Sequence, residues 1–288
     1  MNRIPSNVSK SSVIMTECGL CFHRCKLEEG QTGFCRARKN DGGKIVSLNG
    51  NRYSSIALDP IEKKPLLHFY PGSMILSLGS AGCNLRCPFC QNYSISMAKP
   101  DDLKMREMSP TEVVELALSL KDQGNIGIAF TYNEPLINYE TVLETSILAK
   151  KAGLKTVLVT NGTIEPEYLV QLLPYIDALN IDLKGFTVGF YHQLFGDLES
   201  VKTTIMMAAK VSHVEITTLI IPGKNDKDED MADEAQWLAS IDPDIPLHIT
   251  RFFPRYLWND IKPTPVETLT RLKKIALQYL TTVHIGNV

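Results

Sequence analysis

From residue 74 onward, short apolar runs alternate with segments whose apolar positions recur every three or four residues. That alternation predicts a parallel sheet wrapped by helices. The predicted strands are 74–78, 126–130, 155–160, 178–183, 214–221 and 247–250, with a last short one at 283–285. The helix starts are punctuated. Ser109-Pro110-Thr111-Glu112 reads as a capping box with proline at the first helical position, and Gly124 follows the far end. Thr264-Pro265-Val266-Glu267 repeats that signal before the final helix, and residues 138–152 predict a helix closed by Gly153. The charged stretch 224–234 reads as a solvated helix start, its carboxylates near the positive end of the dipole. Six β/α units without a dinucleotide-type glycine fingerprint argue for a barrel or partial barrel over a doubly wound sheet. In such folds chemistry collects on the loops that follow the strands.

Residues 1–73 differ in character. They are glycine-rich, carry Arg36, Arg38, Lys39 and Lys44, and offer short strand candidates at 44–48 and 54–58. The division this suggests is a Cys-rich N-terminal segment, 1–73, and a barrel, 74–288. The chain has 288 residues, 44% hydrophobic and 22% charged, with net charge −2. That is an ordinary globular composition, and it marks neither a nucleic-acid nor a membrane surface. No apolar run is long enough to span a bilayer, and Met1 to Lys10 lacks a signal-peptide core, so a cytoplasmic location is expected. Seven cysteines, an odd number, split into Cys18, Cys21, Cys25 and Cys35, then Cys83, Cys87 and Cys90. Two such groups without a secretion signal point to metal ligands rather than disulfides.

The second group has the spacing C-x3-C-x2-C. An iron–sulfur cube normally takes four thiolates, so three on one loop leave an iron with an open position. Zinc on the same loop would need a distant fourth ligand. The first group, C-x2-C-x3-C-x9-C, has four thiols, enough to close a structural zinc site or to ligate a second iron–sulfur cluster. Further polar groups follow the predicted strands. Thr131-Tyr132-Asn133-Glu134-Pro135 follows the second, where the proline disfavours a helical Glu134. Asn161 ends the third, and Asp182 and Lys184 share one face at the end of the fourth. His248 and Thr250 share a face of the sixth, with Arg251 at its end and an aromatic loop beyond.

The C-x3-C-x2-C loop resembles that of the radical S-adenosylmethionine (SAM) superfamily. The resemblance implies a partial (β/α)6 TIM-like barrel and a 4Fe-4S cluster on Cys83, Cys87 and Cys90. It also implies SAM chelated to the fourth iron and cleaved by one electron to a 5′-deoxyadenosyl radical. Asn133-Glu134 stands where many relatives carry Gly-Glu at the turn that receives the SAM amino group. Asp182-x-Lys184 resembles the SAM-contacting pair of glycyl-radical-enzyme activases. On this basis Phe89, Asn133, Glu134, Asn161, Asp182, Lys184, His248 and Arg251 are the expected cofactor-binding residues. The string from Leu20-Cys21-Phe22-His23-Arg24-Cys25 through Gly33-Phe34-Cys35 to Asp59-Pro60-Ile61-Glu62-Lys63-Lys64-Pro65-Leu66, with Cys90-Gln91-Asn92, is similar to the AmmeMemoRadiSam-system radical SAM enzyme. That family is itself related to pyruvate formate-lyase activating enzyme. Relatives often continue past Ile285-Gly286-Asn287 into a tail with a C-x-x-C pair that this sequence does not show. The expected activity is hydrogen abstraction from an unidentified substrate. Reduced flavodoxin or ferredoxin is the expected donor, and a protein partner or protein substrate is expected from the family name. A glycyl-radical activase and a non-catalytic iron–sulfur electron carrier are the alternatives.

Overall fold

The structure, a computed structural model, describes residues 15–288. Residues 1–10, and the expectation about them, lie outside the described residues. Eight strands form one sheet in chain order: β1 Ser55–Pro60, β2 Met74–Gly79, β3 Asn125–Phe130, β4 Lys155–Thr160, β5 Ala178–Asp182, β6 His213–Ile220, β7 Leu247–Arg251 and β8 Val283–Gly286. Strands β2 to β8 are parallel neighbours, and β1 lies antiparallel on β2. The helices are α1 Tyr93–Ser96, α2 Pro110–Ser119, α3 Tyr139–Lys151, α4 Pro166–Leu172, α5 Val188–Gln193, α6 Leu198–Ala208, α7 Asp228–Ile241 and α8 Val266–Ala276. Every predicted strand is present within a residue or two. The architecture is the expected partial TIM-like barrel, and β1 extends its sheet across residue 73 with chain from the Cys-rich side.

Side-chain alternation sorts the strands' two faces. Leu78, Ile128, Leu158, Ile181, Ile216 and Ile249 pack into one large core that includes Val113, Val142, Leu169, Ile205, Leu238 and Leu272 of the helices. On the other face Ile75, Ala129, Val157 and Ala178 meet Ile61, Leu66 and Phe69, so chain between β1 and β2 fills the barrel. A buried carboxylate fastens that filling segment. Glu215 on β6, fully buried, accepts from the backbone N–H groups of Leu67 and His68 at 3.1 and 2.8 Å. It also pairs with His213 Nε2 at 2.9 Å and His248 Nε2 at 2.6 Å. Burial alone would raise its pKa; the two imidazoles and two amides win and lower it to about 2.

The helix punctuation works at two of its three sites. Ser109 and Glu112 form the reciprocal capping box, a feature contributing about 1 kcal/mol. Gly153 follows α3 in the left-handed region at φ +71°. The signal at Thr264 is used otherwise. Thr264 is fully buried, and its hydroxyl donates to Ile220 O at 2.5 Å and accepts from Phe252 N at 3.3 Å. α8 therefore starts without a side-chain cap, because Thr264 ties together the ends of β6 and β7. The acidic start of α7 also needs correcting at one residue. Glu234 is 2% exposed against β6, accepting from Thr218 Oγ1 at 2.5 Å, and burial raises its pKa to about 8.

Candidate active site at the mouth of the barrel

The cysteine loop leaves β2 through Gly82, at φ +86°, where an added Cβ would stand 2.4 Å from Cys35 O. No other residue fits that crossing. Beyond it, Arg86 N donates to Leu194 O at 2.9 Å, and Arg86 Nη1 donates to Cys83 O at 2.7 Å, closing the loop on itself. Leu257 N and Trp258 N both donate to Pro88 O, at 2.8 and 3.2 Å, which lays the aromatic 252–258 loop over the cysteines. Phe89 stacks parallel to Phe190 at 6.5 Å and tilts against Trp258 at 5.4 Å beside buried Cys87, while Cys83 and Cys90 stay partly exposed.

All seven cysteines are free. Burial pushes the Cys83 thiol well above its usual range, and the nearby Glu134, Cys87 and Cys90 push it further. Burial likewise raises Cys87 to about 12, against the pull of Lys184. Such thiols ionise when a metal binds them. Two N–H groups already face the Cys83 sulfur: Leu85 N at 3.3 Å and Asn161 Nδ2 at 3.7 Å. Among the described residues no three His, Cys, Asp or Glu side chains converge so as to hold a single metal ion. Thiolates of an iron–sulfur cube ligate separate irons, so the three-thiol donor set fits such a cluster with one iron left open.

Three turns gather beside this loop. After β3, Asn133 accepts from Ser80 N at 2.9 Å and donates to Gly82 O at 2.9 Å, stitching its turn to the start of the cysteine loop. Glu134 is 2% exposed, and its carboxylate is engaged inside the protein. Oε1 accepts from Leu136 N at 3.0 Å and Thr160 Oγ1 at 2.7 Å, and Oε2 accepts from Asn161 N at 2.7 Å. Burial outweighs these donors and raises its pKa to about 7. After β4, Asn161 joins Glu134 to Cys83 and also donates to Asn84 Oδ1 at 2.9 Å. After β5, Lys184, two residues past the strand's end, places Nζ 2.7 Å from Asp182 Oδ2. Burial alone would lower the Lys184 pKa; Asp182, Cys87 and Cys90 together raise it.

His248 and Arg251 have their polar contacts elsewhere. His248 is held by Glu215, and Arg251 Nε donates to Thr264 O at 2.8 Å with its guanidinium over the Phe253 ring. Two residues at the mouth carried no legible sequence signal. Tyr132 holds the left-handed region at φ +71°, a costly conformation for an aromatic residue. Its hydroxyl lies 2.5 Å from Asp59 Oδ2, Lys64 Nζ lies over its ring, and its carbonyl accepts from Asn92 Nδ2 at 2.7 Å. Asn84, inside the cysteine loop and 2% exposed, donates to Thr163 O at 3.0 Å and links that loop to the turn after β4.

The family model of the Radical SAM superfamily matches residues 78–235. An uncharacterized protein of Methanocaldococcus jannaschii is 42% identical over 275 residues, 94% of this chain and 81% of its own length. The pyruvate formate-lyase-activating enzyme of Listeria monocytogenes is 26% identical over 174 residues, 56% of this chain and 67% of that protein. Among solved structures, Streptococcus suis SuiB bound to S-adenosylmethionine superposes with a TM-score of 0.58 at 16% identity, covering 74% of this chain and 52% of that one. At that identity the superposition speaks for the fold. The family match spans the cysteine loop and the turns after β3, β4 and β5, and this chain, an enzyme, belongs to the radical SAM superfamily.

Proposed function

We propose that this protein holds a 4Fe-4S cluster on Cys83, Cys87 and Cys90 and uses it with SAM to start a radical reaction on an unidentified substrate. The observation that carries this reading is Asn161, whose contacts join the Cys83 sulfur, Asn84 and the Glu134 carboxylate in one buried network. When bound, the cluster would supply one electron to SAM, yielding methionine and a 5′-deoxyadenosyl radical that takes a hydrogen atom from the substrate. The protein's part is placement. Glu134 braces the turn after β3, leaving the backbone of that turn and Asn133 to meet the SAM amino group. Asp182 and Lys184 set an anion and a cation side by side next to Cys87, suited to a ribose hydroxyl and a carboxylate. Phe89, Phe190 and Trp258 form an apolar wall beside the cysteines. A reduced flavodoxin or ferredoxin is the donor in this reading. Anaerobic reconstitution with iron and sulfide, then dithionite and SAM, tests it. Formation of 5′-deoxyadenosine is expected; a cluster unmoved by SAM and no 5′-deoxyadenosine would leave an electron carrier instead.

The Listeria relative's name favours a second reading, activation of a partner enzyme by hydrogen abstraction from one of its glycines. It predicts a glycyl-radical signal on a co-incubated protein partner.

A further inference from the structure

Tyr132 carries the chain from the end of β3 into the Asn133-Glu134 turn by a tight reversal. Thr131 N still donates to Leu78 O at 2.8 Å, and Asn133 N then donates back to Thr131 O at 3.0 Å. That bond, closed across Tyr132 at φ +71°, makes a γ-turn of the rare, strained hand. Glycine holds such a turn at little cost, whereas an aromatic residue must be held there from outside.

The hold comes from the chain that fills the barrel. Asp59, on β1, takes the Tyr132 hydroxyl on Oδ2 at 2.5 Å, and the same oxygen takes Lys64 Nζ at 2.8 Å. Lys64 is 2% exposed, its ammonium set between Asp59 and the Tyr132 ring, whose centre lies 4.7 Å away. Burial alone would raise the Asp59 pKa; Lys64 and Tyr132 win and lower it to about 2, so the tether is charge-assisted. The ring also lies on Gly79 of β2, where an added Cβ would stand 2.9 Å from Tyr132 Cδ2. A carboxylate, a buried lysine and a strand glycine are thus fitted around one side chain in a costly conformation.

The reversal also sets the turn against the cysteine loop. It points the Tyr132 carbonyl at Asn92 Nδ2, 2.7 Å away and two residues past Cys90. On its other side Asn133 is bonded to Ser80 N and Gly82 O, just before Cys83. Both ends of the cysteine loop therefore meet the chain at Tyr132 and Asn133.

We propose that Tyr132, tethered by Asp59 and Lys64, is a positioning residue that sets the turn before Glu134 against both ends of the cysteine loop and so fixes where the SAM amino group docks. The inference rests on the reading of this mouth as a SAM site. Tyr132 acts through the backbone of residues 131–133 and not by chemistry of its own.

The test uses the full chain, reconstituted anaerobically, with SAM titrated against the electron paramagnetic resonance of the reduced cluster. Tyr132→Phe removes the hydroxyl alone, and Asp59→Asn removes the charge that receives it. Each is expected to keep wild-type iron, sulfide and SAM-free spectrum, and to raise the Kd for SAM about 10- to 100-fold. Because both break one bond, the double variant should bind SAM no worse than the weaker-binding single variant. Tyr132→Gly relaxes the backbone but cuts the tether, and should bind SAM at least as weakly as Tyr132→Phe. Additive losses in the double variant overturn the tether, as does wild-type affinity in Tyr132→Gly, which would mean that a permissive backbone is enough. A lower melting temperature with an unchanged Kd marks a packing role and overturns it too, and loss of iron in Tyr132→Phe moves its role to the cysteine loop. A wild-type spectrum that SAM leaves unmoved sinks the SAM reading itself; variants that respond to SAM as wild type does sink the tether alone.

Discussion

The backbone N–H of Asn161 donates to Glu134 Oε2 at 2.7 Å, locking the turn after β4 to the turn after β3. With Thr160 Oγ1 and Leu136 N on the other oxygen, the carboxylate receives three donors. Glu134→Gln puts an amide N–H₂ where an acceptor is needed, facing an N–H or O–H donor. A buried mismatch of this kind costs about 1–3 kcal/mol. The variant should melt earlier and bind SAM more weakly, by calorimetry on reconstituted protein. Unchanged stability and affinity would remove Glu134 from the bracing role.

Asp182 and Lys184 are expected to act as one unit. Charge-assisted hydrogen bonds contribute about 1.5–3 kcal/mol, so losing one to a ligand weakens binding about 10- to 100-fold. Lys184→Met should raise the Kd for SAM by that factor with iron content intact. A normal Kd would show that the pair serves only the protein.

Glu215 gives the fold an acid limit. Its carboxyl is held down to about 2 in the folded state against an ordinary value of 4.5. A depressed carboxylate contributes stability that is present above pH 4.5 and lost as pH falls toward 2. That contribution is on the order of 3 kcal/mol. Glu215→Gln should lower Tm near neutral pH and flatten the loss of stability between about pH 5 and 2. The imidazoles facing it, His213 and His248 with His284 stacked on the latter, belong to the same network. An unaltered pH–stability curve would deny Glu215 its anchoring role.

Glu234 works in the opposite direction. Its carboxyl is raised to about 8, so the neutral form fits the core. Stability from it is full below pH 4.5 and is lost as pH rises toward 8. Glu234→Gln should therefore stabilise the protein at pH 8 by on the order of 3 kcal/mol and change little at pH 4. Denaturant unfolding at the two pH values checks this, and equal effects at both would contradict it.

Local pattern carried a good part of this protein. The C-x3-C-x2-C spacing, the Asp182–Lys184 pair, the Ser109–Glu112 cap and Gly153 are legible because their partners lie within a few residues. Burial and long-range partners are not written that way. Thr264 looked like a helix cap, yet buries its hydroxyl on Ile220, 44 residues away. Glu234 looked solvated, yet faces Thr218 on β6. His248 looked like a residue of the mouth, yet serves Glu215 and, through it, the segment that fills the barrel. Glu134 looked like a ligand contact, yet its oxygens face inward. His23 Nε2 meets Asn84 O at 2.8 Å across 61 residues of chain. Sequence spacing alone set out the three-thiol loop and the polar groups that follow the strands. Packing decided which polar groups remain free for a ligand, because a buried donor or acceptor takes its nearest partner in space, whatever their distance along the chain.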